Sequence, residues 1–62
     1  MNAGPQLSSV ATALGELTRR VTELAEELTR SNREDLAGEL FEAERALLTA
    51  GRRLAKVVDD LS

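Results

Sequence analysis

The chain contains no cysteine, histidine, tryptophan or tyrosine, and Phe41 is its one aromatic residue. Each absence removes a class of chemistry. Without cysteine there is neither a disulfide to staple a small fold nor a thiolate to hold a metal. Without histidine the commonest metal ligand and general base are gone. With 62 residues there is also no room for a pocket, so neither an enzyme nor a cofactor is expected. Base stacking has no aromatic platform beyond Phe41.

Charge of one sign is also scarce. The net charge is −3 and the pI about 4.8, whereas nucleic-acid binders usually carry a basic excess or stripe. Seven of the eight basic residues are Arg. That suits bidentate pairing with carboxylates, and it is equally what codon bias in a GC-rich genome produces. Long apolar runs are missing too. The longest uncharged stretch of the second half is "ALLTAG", far short of the roughly 20 residues of a membrane span. The opening "MNAGPQL" has neither the basic nor the apolar region of a signal peptide. A cytoplasmic protein is expected, with no membrane partner.

What is present is heptad periodicity. Leu7, Val10, Leu14, Leu17, Val21, Leu24 and Leu28 step alternately by three and four, the spacing of an a/d seam. Small or polar residues flank it: Ala11, Thr18 and Ala25 on one side, Ala13, Arg20 and Glu27 on the other. This helix reads as one narrow apolar stripe, opened by Pro5, which suits a first helical turn. A second seam runs through Leu36, Leu40, Ala43, Leu47, Ala50, Leu54, Val57 and Leu61. Beside it lies another row, Phe41, Leu48 and Ala55, with Ala37 and Val58 nearby. A face that wide usually meets more than one neighbouring helix.

Between the seams sits "TRSNREDL", residues 29–36. The first frame would next place Ser31, Asp35 and Gly38 in the core, so it does not continue. Ser31 and Glu34 fit the S-x-x-E capping box, and Asn32 is an equally good N-cap. Glu34 and Asp35 then fall in a first helical turn and Arg30 in a last turn, where the helix dipole favours each charge. These signals predict a reversal near residues 30–32. The alternative is one continuous helix of about 55 residues, roughly 80 Å long. In the hairpin, setting Leu28 against Leu36 pairs residues whose numbers sum to about 64. Leu24 then meets Leu40, Val21 meets Ala43, Leu17 meets Leu47 and Leu14 meets Ala50.

One hairpin of this size is marginal by itself. It would leave Phe41, Leu48 and Val58 wet. The expected architecture is therefore all-α. A two-helix antiparallel hairpin, helices about 5–30 and 32–61, self-associates into a four-helix bundle, most simply as a homodimer. Residues 1–4 form a flexible N-terminus and residues 5–62 the hairpin domain. The expected oligomer interface is Phe41, Leu48, Ala55 and Val58 with Leu40 and Leu47. The expected function is protein–protein interaction, as a structural, adaptor or regulatory subunit. Its partners are further copies and another protein.

Other clusters read as solvated surface. Glu23, Glu26 and Glu27, and Glu39, Glu42 and Glu44, lack the histidines that complete a di-iron site. Glu16–Arg20, Glu26–Arg30 and Lys56–Asp60 are spaced as exposed ion pairs. Gly51, beside Ala50, reads as a close helix crossing. Arg52, Arg53 and Lys56 in "GRRLAK" form the densest basic patch, a candidate contact for an anionic partner. In length, heptads and central turn the whole chain resembles the plasmid regulator Rop, a hairpin that dimerises into a four-helix bundle. Rop-type RNA recognition uses a basic helix face that bears an aromatic. The first helix here carries Arg19 and Arg20 without one. A nucleic-acid regulator acting through Arg52, Arg53 and Lys56 is the alternative function.

Overall fold

The computed structural model describes residues 3–61. Met1 and Asn2 of the expected N-terminal segment, and Ser62 of the hairpin domain, lie outside the described residues. Two α-helices account for nearly everything: α1, Ala3–Arg30, and α2, Glu34–Leu61. They pack antiparallel along their length. The alternative of a single continuous helix is excluded. The boundaries differ slightly from the sequence reading. The first helix begins at Ala3 and the second at Glu34, against expected starts near 5 and 32.

Good helix formers, mainly Leu, Ala, Glu and Arg, fill both helices. The threonines of α1 are accommodated by back-bonding. The hydroxyls of Thr12, Thr18 and Thr29 lie 3.0, 2.7 and 3.1 Å from carbonyls four residues earlier. A polar side chain is thereby satisfied without leaving the helix.

The reversal is made differently from the expected capping box. Ser31 still belongs to the end of α1, its N–H donating to the Glu27 carbonyl at 3.0 Å. Asn32 follows with φ of 61°. Its N–H donates to the Thr29 carbonyl at 3.1 Å, and the Arg33 N–H reaches back to Leu28 at 2.8 Å. This pair of bonds is a Schellman closure, which requires a left-handed residue just past the helix. Asn is the non-glycine residue that adopts that conformation most readily. The first backbone bond of α2 runs from the Ala37 N–H to the Arg33 carbonyl, 2.9 Å. Arg33 is therefore the N-cap, and Ser31 and Asn32 terminate α1. Arg30 in the last turn of α1, and Glu34 and Asp35 in the first turn of α2, are placed as the dipole argument requires.

The hairpin is a slat, 48 × 14 × 11 Å in Cα extent. Its radius of gyration is 14.3 Å, where a globular chain of this length has about 11 Å. No large side chain is fully buried among the described residues. The buried positions are Ala25 (0 % exposed), Ala37 (2 %) and Thr18 (7 %). Small residues thus occupy the contact between the helices.

The register lies one or two residues from the expected pairing of seam against seam, and only one row of each seam is drawn toward the contact. A Cβ built on Gly51 would lie 4.0 Å from Leu14 Cδ2, and one on Gly4 3.9 Å from Leu61 Cβ. The Thr22 hydroxyl meets the Glu44 carboxylate. Facing residues accordingly sum to 65 or 66, against the expected sum of about 64, and Leu14 reaches Gly51. The physical reason is closeness of approach. The line Ala11–Thr18–Ala25 brings the two backbones nearer than a line of leucines allows. Leucines of the seam are displaced to the flank, where Leu17 and Leu24 are 55 % and 56 % exposed. Phe41 and Val58, expected to stay wet in a lone hairpin, are half-buried instead.

Candidate interaction surfaces

Helical geometry sorts the remaining side chains onto two faces. On α1 the inward line is Ala11, Thr18 and Ala25. Each residue turns the helix by about 100°. Val10, Leu17 and Leu24 precede that line by one position and stand about 100° to one side of it. Gly15 and Thr22 stand about 40–60° to the other side. On α2 the inward line is Ala37, Glu44, Gly51 and Val58, buried or half-buried throughout. Leu36, Ala43, Ala50 and Val57 precede it by one position, while Phe41 and Leu48 turn the opposite way. Two right-handed helices packed antiparallel put their preceding rows on the same side of the hairpin.

The first face therefore carries the outer row of each heptad seam. Seven large apolar side chains are exposed among the described residues: Val10, Leu17, Leu24, Leu36, Leu48, Val57 and Leu61. All but Leu48 belong to this face. Half-buried Leu14, Val21, Leu40, Leu47 and Leu54 fill the strip between the two rows. The result is a continuous apolar surface along the slat.

The second face is narrower and more polar. A shallow groove of about 340 Å³ runs between the helices there, with Gly15 and Thr18 on one bank and Leu48, Arg52 and Ala55 on the other. It continues toward Ser8, Val58 and Asp59.

The residues expected to form the oligomer interface are divided between these surfaces. Leu40 borders the broad apolar face, and Leu47 lies between the two surfaces and also lines the groove. Phe41 is half-buried on the groove side, Leu48 and Ala55 are exposed there, and Val58 lies between the helices. The sequence marks Val10, Leu17 and Leu24 only as members of the heptad seam, whose spacing does not distinguish the row that meets the other helix from the row left open.

Among the charged groups, Lys56 pairs with Asp60 at 3.2 Å, as the spacing predicts. Arg45 pairs with Glu42 at 3.1 Å and Arg33 with Asp35 at 3.5 Å, all on exposed side chains. Surface pairs of this kind contribute little. Arg52 stands on the bank of the groove and Arg53 is exposed on the next position. Arg52, Arg53 and Lys56 thus share a broad flank, with Lys56 already engaged. Of the six clustered glutamates, Glu44 alone is half-buried, held by the Thr22 hydroxyl, and the others are exposed. No group of three or more acidic side chains is placed to hold a metal ion among the described residues. None of the described helices is long and apolar enough to cross a membrane.

No protein-family model matches this chain, and neither the curated proteins nor the solved structures include a match.

Proposed function

We propose that this chain is a self-associating helical hairpin whose work is protein–protein interaction, as a structural, adaptor or regulatory subunit. The minimal assembly is two hairpins in a four-helix bundle, joined through the face of Val10, Leu17, Leu24, Leu36 and Val57.

The gathering of exposed apolar side chains on one face carries the reading, and the total exposed area agrees with it. A folded monomer of 6.7 kDa exposes about 3,900 Å². This hairpin exposes 4769 Å². The surplus, roughly 850 Å², is close to the ~800 Å² that each partner buries in a standard interface. Six of the seven large apolar side chains exposed among the described residues lie on that one face, and contiguous exposed apolar patches mark interaction sites.

Sedimentation and light scattering test it directly. The wild-type mass is expected to be a multiple of 6.7 kDa at micromolar concentration. Leu17→Asp is expected to return the mass to one chain with loss of helicity. Leu48→Asp, on the opposite face, is expected to leave the mass unchanged. A wild-type chain that sediments as a well-folded monomer counts against the proposal.

A further inference from the structure

The two hairpins of such an assembly can be related in two ways by a two-fold axis. With the turns at the same end, α2 of one chain packs on α1 of the other. With the turns at opposite ends, α2 packs on α2 and α1 on α1. The distribution of charge along the helices separates these arrangements.

The second helix is electrically lopsided. Its first half, residues 34–47, carries Glu34, Asp35, Glu39, Glu42 and Glu44 against Arg45, a net charge of −4. Its second half, residues 48–61, carries Arg52, Arg53 and Lys56 against Asp59 and Asp60, a net charge of +1. The first helix has no such asymmetry. Residues 3–16 carry only Glu16, and residues 17–30 balance three Arg against three Glu. Placing the turns together sets the acidic half of α2 beside the neutral half of the partner's α1. It also gathers both acidic halves at one end of the bundle. Placing the turns apart sets each acidic half beside a basic half and separates the two acidic halves along the molecule. Neighbouring helix axes lie 8–10 Å apart, about one Debye length at physiological salt, so the difference is partly screened there and is largest at low ionic strength.

We infer that the occupant of the apolar face is a second copy of this chain turned end for end, with the two Schellman turns at opposite ends of a four-helix bundle. The inference rests on the self-association proposed above and adds its geometry. The interface is isologous, each α2 meeting its own symmetry mate in antiparallel fashion.

The absence of native cysteine makes the test clean. Ser31→Cys puts a single spin label on the exposed turn, away from both helix faces. Sedimentation of the labelled protein first establishes its mass. Double electron–electron resonance then reads the distance between labels in the two chains. Turns at opposite ends give a separation comparable to the 48 Å length of the hairpin. A separation under roughly 25 Å, two helix diameters, means that the turns lie together and overturns the inferred geometry while leaving self-association intact. A single-chain mass without any dipolar coupling overturns the self-association on which the geometry rests.

Discussion

The Thr22 hydroxyl donates to the Glu44 carboxylate across the hairpin, and it also lies 3.1 Å from the Thr18 carbonyl on its own helix. Glu44 occupies the inward line of α2, between Ala37 and Gly51, where an apolar residue would be the ordinary choice. A half-buried carboxylate there needs a donor, and Thr22 supplies it. Thr22→Val keeps the shape and removes the hydroxyl. The variant is expected to lose about 1 kcal/mol in urea unfolding, the usual effect of leaving one partner unsatisfied. If the variant is as stable as wild type, Glu44 is being satisfied by water and the cross-helix bond is incidental.

Three glycines sit inside helices without a conformational need for glycine. A Cβ on Gly15 or Gly38 meets nothing within 4 Å, and one on Gly51 makes an ordinary contact with Leu14. None of the three adopts a positive φ. Gly15→Ala, Gly38→Ala and Gly51→Ala are each expected to stabilise the hairpin by roughly 0.5–1 kcal/mol, by reducing the entropy of the unfolded chain. Thermal melts of the single variants and the triple variant check both the sign and the additivity expected of separated sites.

Among the described residues Asn32 is the one non-glycine with positive φ, at 61°. Asn32→Gly relieves that constraint and is expected to leave the melting temperature at or above the wild-type value. Asn32→Val keeps the backbone hydrogen bonds but places a β-branched side chain in a left-handed conformation. A loss of about 1–2 kcal/mol is expected, with helix content retained below the melt. Equal stability of the two variants would mean that the turn relaxes to another closure.

The helices, the reversal and the dipole-matched charges were legible in the sequence because each rests on local spacing. Arg30, Glu34 and Asp35 needed no knowledge of the partner helix. What the helices present to each other was less legible. A seven-residue repeat marks a stripe on a cylinder without saying which neighbour the stripe faces. Leucines such as Leu17 and Leu24 look like core because they are apolar, while Ala11, Thr18 and Ala25 look like flank because they are small. Packing reverses these roles, because close approach rewards the small residues. The capping box was misread for a related reason. Ser31 and Glu34 have the right spacing, but the Schellman closure at Asn32 consumes the positions the box would need.

Ala25 offers the sharpest test of that reversal. It is fully buried at the contact between the helices, yet by sequence it is only a flanking residue. Ala25→Leu widens the leucine stripe, and if that stripe were the hairpin contact the change would stabilise the fold. With the small-residue line as the contact, the added atoms must push the backbones apart or strain the side chain. Overpacking of that kind typically costs 1–3 kcal/mol, so a loss of about that size is expected in chemical unfolding. Ala13→Leu, the same change at an exposed position of the same helix, is the control and is expected to leave hairpin stability within about 0.5 kcal/mol. Ala25→Leu at or above wild-type stability would return the leucine stripe to the centre of the hairpin. It would also remove the open apolar face on which the proposed assembly depends.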